Sequence, residues 1–218
     1  MNNPFQSLAG IGVIPVIAID DAASALPLAD ALLEGGIHCA EITFRTAAAR
    51  QSIEIMASQR PELIVGAGTL LNLEHLCAAR DAGATFGLAP GFDRQLVDAS
   101  MGLNFPFAPG VMTPSEVGAA LSAGLRTMKF FPAGAAGGTK MLSAIEAPFS
   151  HLGPRFIPTG GVTLANMHEW LALPTVLAIG GTWLATRDAI ARGAWKEIAD
   201  ACKAAIGRVA EIRGQSAR

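Results

Sequence analysis

The sequence predicts an α/β fold, a (β/α)8 barrel of the TIM type occupying residues 1–218 as one domain, and three observations predict it. Eight short apolar or β-branched runs alternate with alanine-rich amphipathic segments from one end of the chain to the other. Consecutive βα units imply right-handed crossovers and a parallel sheet. No linker of mixed polar composition divides the chain, and no GxGxxG follows the first strand, where an open doubly wound sheet usually carries it. Instead that strand runs into Asp20-Asp21-Ala22. At 218 residues the chain is somewhat short for a full eightfold barrel, and eight units close naturally into one.

Strands are expected near Val13–Ile19, His38–Phe44, Leu63–Gly66, Thr85–Ala89, Phe105–Ala108, Thr127–Phe131, Phe156–Pro158 and Val176–Ile179. The segments between them read as helices. Asp21 to Glu34 repeats apolar residues at the 3.6 period and stops at Gly35-Gly36. Asn72 is placed to cap the helix after the third strand, and Gly83 and Gly124 close two others. Thr113-Pro114-Ser115-Glu116 is a capping box with proline at the first helical position. A short lead-in precedes the first strand, and the tail from Arg208 to Arg218, with three arginines, is expected to fray.

Composition excludes several function classes. The net charge is −2 and no basic stripe is present, which argues against a nucleic-acid partner. Mean hydropathy is +0.39, yet the longest early apolar run, Gly10 to Ile19, is broken by Pro15. A span needs about 18 unbroken apolar residues, so no membrane segment is expected. Met1 to Leu8 lacks the basic residues of a signal peptide, and a cytoplasmic enzyme is expected. Cys39, Cys77 and Cys202 have no CxxC spacing and read as reduced thiols. His38, His75, His151 and His168 show no HxH or HxxxH, so neither a metal nor another cofactor is expected.

Two strands place charge where a barrel wants apolar side chains. In Ala40-Glu41-Ile42-Thr43-Phe44-Arg45 the period of two puts Ile42 and Phe44 under the helices, and Glu41, Thr43 and Arg45 on the inner face. In Thr127-Met128-Lys129-Phe130-Phe131, Lys129 points inward by the same rule, while Lys140, Lys196 and Lys203 fall in helical, solvated settings. Burying such groups unpaired costs several kcal/mol or more. Desolvation disfavours an ammonium and a nearby carboxylate opposes that effect. One reading is an interior Lys129–Glu41 salt bridge that merely orders the barrel. The other, which perturbed groups in barrel mouths favour, is an amine nucleophile with a carboxylate moving protons.

Loops at the carboxyl ends of the strands carry barrel active sites. Here Gly160-Gly161 and Gly180-Gly181-Thr182, after the last two strands, offer backbone N–H groups for a phosphate, though tight turns also use such pairs. Thr69 could join the Arg45 fork on a carboxylate, or cap a helix. Phe131 is either a wall over a bound intermediate or a core aromatic.

Glu41-Ile42-Thr43-Phe44-Arg45-Thr46, Gly66-Ala67-Gly68-Thr69, Lys129-Phe130-Phe131-Pro132-Ala133, Pro158-Thr159-Gly160-Gly161-Val162 and Ile179-Gly180-Gly181-Thr182-Trp183-Leu184 together resemble the 2-keto-3-deoxy-6-phosphogluconate aldolases, which also cleave 4-hydroxy-2-oxoglutarate. The likeness runs from about Ile11 to Leu184. It implies a homotrimeric, metal-free class I aldolase of the Entner–Doudoroff route with a small keto-acid substrate. Lys129 matches the Schiff-base lysine and Glu41 the proton-transferring carboxylate. Arg45 and Thr69 match the residues holding the pyruvate carboxylate, and Pro90 and Phe131 the pocket wall. Thr159, Gly160, Gly161, Gly180, Gly181 and Thr182 match the phosphate-binding positions. Gly134 stands where many relatives carry an acid, Thr182 where serine is usual, and Met112 where a small hydroxyl residue often lies. Arg45-Thr46 favours the gluconate branch over its galactonate sibling. A phosphosugar isomerase or epimerase on the same barrel, and a non-catalytic phosphometabolite-binding module, are the competing functions.

Overall fold

In the computed structural model, which describes residues 3–216, nine short strands form a curled, all-parallel sheet system with helices outside it. The strands are β1 (Val13–Ile17), β2 (Cys39–Thr43), β3 (Ile64–Gly68), β4 (Phe86–Leu88), β5 (Phe107–Ala108), β6 (Gly110–Val111), β7 (Thr127–Phe130), β8 (Arg155–Pro158) and β9 (Ile179–Gly181). One sheet runs β5-β4-β3-β2-β1-β9 and the other β6-β7-β8. They adjoin where β5 passes into β6, and again at the bridges Phe156↔Val176 and Thr159↔Gly180. Every named pair is parallel, as the helical crossovers require.

Four expectations need correction, the first being the last strand, expected over Val176–Ile179, which runs Ile179–Gly181 and leaves Val176 in an isolated bridge to Phe156. The strand expected over Phe105–Ala108 starts at Phe107 and is followed after Pro109 by β6. Phe105 N donates to Ser100 O and so closes the preceding helix, and Pro109 has no N–H to continue the ladder, although its carbonyl accepts from Lys129 N at 2.8 Å. The helix expected from Asp21 opens as a 3-10 turn, Ala22–Ser24, and becomes α-helical over Ala25–Glu34. Pro27 in its first turn has no N–H for an α-helical bond back to Ala23. The tail does not fray at Arg208: the last helix runs Trp195–Ser216. Val209 and Ile212 are buried on one face of it, and Arg213 Nη1 donates to Gly10 O at 2.7 Å. Residues 217–218 of that expectation lie outside the described residues.

The caps follow the sequence. Asn72 Oδ1 accepts from His75 N at 2.8 Å. Thr113 Oγ1 accepts from Glu116 N at 3.3 Å while Glu116 Oε2 accepts from Thr113 N at 2.9 Å. Replacing Thr113 by Ala removes one half of this exchange, and we expect a loss of about 1 kcal/mol. That loss should lower Tm by about 2–4 °C in a chain of this size, as calorimetry would record. No helix among the described residues is long and apolar enough to cross a membrane.

The core packs helices against the outward faces of the strands, with Ile42, Met128, Phe130 and Phe156 buried between them, while Phe86 is buried on the opposite face, against Gly66 and Phe5. Buried polar side chains sort into two kinds. Ser52 and Ser100 return hydrogen bonds to carbonyls of their own helices, Ala48 O and Val97 O, each at 2.8 Å. Glu41, Thr43, Lys129 and Thr159 instead stand on or just beyond the strands. This second group marks the site.

Candidate active site

Alternation along β2 and β7 brings Glu41 and Lys129 together from 88 residues apart. Lys129 Nζ donates to Glu41 Oε1 at 2.9 Å, with side chains 6% and 0% exposed, so the pair has almost no bulk water to share its charge. An ion pair in such a place is a poor way to gain stability, because desolvation consumes most of the Coulomb attraction. Glu41 Oε2 is buried and has no partner among the described residues, an orphan acceptor beside an amine. Phe131 covers the amine, its ring centroid 5.7 Å from Nζ. Chemically, a carboxylate that accepts the lysine proton leaves a free amine nucleophile and becomes a general acid.

Room for the carboxylate comes from β3. Glu41 stands beside Gly66 in the ladder, and a Cβ at Gly68, two residues on, would overlap its Oε1. Thr43, next on the same face, donates from Oγ1 to Ile17 O at 2.7 Å and accepts from Arg45 Nε at 3.0 Å. Arg45 is thereby held by one nitrogen, with its two terminal nitrogens unpartnered among the described residues. Thr69 does not cap a helix, since Asn72 does. It adopts φ 58°, a left-handed conformation that a β-branched residue rarely takes, at the mouth of the strands.

Beyond β8, Thr159 is buried and packs on Gly180, where a Cβ would come within 3.0 Å of the threonine Cβ. Ala133 N and Gly134 N donate to Thr159 O and Gly160 O at 2.8 and 2.7 Å, tying the loop after β7 to the loop after β8. The structure thus gathers Lys129, Glu41 and Phe131, and joins the two glycine loops through Thr159 and Gly180. Thr69 and Pro90 stand on the rim after β3 and β4, half-buried and without a hydrogen bond to the pair. Arg45 and Thr182 line a cavity of about 370 Å3 with Val16, Ala18, Ala185, Thr186 and Arg187. The thiols take no part. Burial pushes Cys202 up to about 12, and burial with the neighbouring Cys202 pushes Cys39 higher still, so both are inert near neutrality.

Residues 6–201 match the model of the KDPG and KHG aldolase family. The chain belongs to this family. Among aldolases to which it is similar, the 2-dehydro-3-deoxy-phosphogluconate aldolase of Haemophilus influenzae is 40% identical over 193 residues, 88% of this chain and 90% of that one. The KHG/KDPG aldolase of Escherichia coli strain K12 is 43% identical over 194 residues, 89% of this chain and 90% of that one. Among solved structures, the KDPG aldolase of Legionella pneumophila, with pyruvate captured as a covalent carbinolamine, superposes with a TM-score of 0.88 at 40% identity. The superposition covers 93% of this chain and 98% of that one.

For a KDPG and KHG aldolase family member, sequence reasoning missed two parts of the mouth. Arg187, the first residue of the helix Arg187–Ala191 that follows β9, and Asp20, in the loop after β1, form a bidentate ion pair. The Arg187 guanidinium holds the Asp20 carboxyl below its usual range, and Asp20 raises Arg187 in return. The signal was weak, because Asp20 lies three residues beyond β1 and Arg187 six beyond β9, and only the pairing of β1 with β9 brings them together. Thr43, read only as an inward hydroxyl, is the second part: it is the hinge that aims Arg45.

Proposed function

We propose that this chain is a class I aldolase cleaving 2-keto-3-deoxy-6-phosphogluconate to pyruvate and glyceraldehyde 3-phosphate, and 4-hydroxy-2-oxoglutarate to pyruvate and glyoxylate. The observation carrying this reading is the buried Lys129 amine 2.9 Å from Glu41 Oε1. Family membership and the covalent pyruvate adduct of the Legionella relative support it. Lys129 Nζ attacks the C2 ketone, and the carbinolamine loses water to an iminium. The iminium withdraws electrons from the C3–C4 bond, which breaks as a base takes the C4 hydroxyl proton. The electrons enter an enamine, which is protonated at C3 and hydrolysed to pyruvate. Glu41 carries protons in these steps, for which its unpartnered Oε2 supplies a free acceptor.

Arg45 and Thr69 hold the pyruvyl carboxylate, and Pro90 and Phe131 wall the pocket. Thr159, Gly160, Gly161, Gly180, Gly181 and Thr182 surround the phosphate. The ladders and bridges that lead from β1 round to β9 and back support a closed (β/α)8 barrel, with β5 and β6 counting as one strand, built as a single domain. A homotrimer in the cytoplasm completes the reading, on the family resemblance alone.

The test is a borohydride trap. Pyruvate with borohydride should add a reduced pyruvyl mass to the peptide containing Lys129. An isomerase using Lys129 and Glu41 as an acid–base pair, or a binding module, leaves that peptide unmodified.

A further inference from the structure

We propose that Arg187 is a specificity-determining residue of this site, receiving the terminal phosphate of the aldehyde half of the substrate. The inference rests on the aldolase reading and adds a residue to it. The cavity that Arg187 shares with Arg45, Thr182 and Thr186 has walls of small apolar side chains, Val16 and Ala18 among them. Val16 is the ladder partner of Glu41, so its side chain stands on the same face of the sheet as the reacting pair. The cavity therefore opens beside the chemistry rather than elsewhere on the molecule.

Two guanidiniums and two hydroxyls line this cavity, and the Asp20 carboxylate offsets part of that charge by pairing with Arg187 without itself lining the cavity. The proposed substrate carries an anion at each end, a carboxylate on the pyruvyl half and a phosphate on the other. With Arg45 on the carboxylate, Arg187 is the second cation available in the same cavity. Its guanidinium is already oriented, because Nε and Nη2 are spent on the Asp20 carboxylate and Nη1 is the free edge. An arginine fixed this way presents planar donors to phosphate oxygens with little further loss of freedom. The Arg187–Asp20 bridge itself is 64% and 50% exposed, where an ion pair adds little to stability. Orientation of the guanidinium is the larger consequence of the bridge.

The experiment runs the reaction in the direction of addition, joining pyruvate to glyceraldehyde 3-phosphate or to neutral glyceraldehyde. In Arg187→Ala the ratio of kcat/KM for the phosphorylated over the neutral aldehyde should fall about tenfold to a hundredfold, carried by KM, the loss expected for a hydrogen bond to a charged group. Inorganic phosphate should compete with glyceraldehyde 3-phosphate in the wild type and compete at least about tenfold more weakly in the variant. An unchanged ratio, an equal loss on both aldehydes, or a loss confined to kcat overturns the assignment. The borohydride trap with pyruvate alone separates the two levels of inference. A variant that traps pyruvate yet keeps its discrimination sinks only the role of Arg187, whereas a wild type that traps nothing sinks the aldolase reading beneath it.

Discussion

Lys129→Met is expected to abolish turnover, by at least about 10⁴-fold, because no other group near the ketone position offers a nucleophilic amine. The same substitution should also cost stability. Removing one partner of a buried ion pair leaves the other uncompensated, a loss of about 3–5 kcal/mol. Glu41→Gln should behave differently: turnover falls about 10²–10⁴-fold while the amine survives and pyruvate can still be trapped, more slowly. The informative protein is the double variant, Lys129→Met with Glu41→Gln. It contains no buried charge at the site, since the remaining polar group is a neutral amide. If the pair exists for chemistry, the double variant regains most of the stability lost by Lys129→Met, because desolvation of two ions is no longer required. Urea denaturation of the wild type, both single variants and the double variant measures this. A double variant that stays about as unstable as Lys129→Met, with no recovery, would show that the salt bridge orders the core, the bland alternative left open by the sequence.

The strand pattern made that pair legible before any coordinates. Period-two alternation requires Ile42 and Phe44 on one side of β2, and so sends Glu41 inward. Met128 and Phe130 do the same for Lys129 on β7. The amphipathic segments and the Thr113–Glu116 box were equally readable, since each is a local signal carried within a few residues. Two of the local failures fell at prolines: Pro109 between β5 and β6, and Pro27 at the start of the helix Ala25–Glu34, each remove a donor that a smooth pattern takes for granted. The tail misled for another reason. Its arginines look solvated, yet Val209 and Ile212 recur on one face and hold the helix to the body.

Contacts between neighbouring strands were less legible, because they depend on register. Nothing in the string Gly66-Ala67-Gly68-Thr69 says which glycine faces a carboxylate. Likewise the Arg187–Asp20 pair needs β1 beside β9, a fact of topology that joins residues 167 positions apart. Thr69 is a third case. Its left-handed backbone is invisible in the sequence, which would lead one to expect glycine or asparagine there.

Register also makes Gly68 the most sensitive small residue of the site. A methyl group at this position would overlap Glu41 Oε1 and lie 2.6 Å from Cδ and 2.7 Å from Cγ, well inside ordinary carbon contacts. Strand β3 cannot back away, since Gly68 is the partner of Thr43 and its carbonyl accepts from Phe44 N at 2.8 Å. The carboxylate must therefore swing aside, and its hydrogen bond with Lys129 goes with it. We expect Gly68→Ala to cost about 1–3 kcal/mol of stability, as overpacking of a filled core does. Its turnover should fall at least about 100-fold, because proton transfer depends on carboxylate position. The clash predicts its own rescue. In a Glu41→Ala background the added methyl has space, so Gly68→Ala should cost less than about 0.5 kcal/mol there and leave the already low turnover unchanged. Denaturation midpoints and single-turnover rates for the four proteins of this cycle decide the matter. Additive losses at the two positions would mean that Gly68 is required for the strand itself and not for the carboxylate beside it.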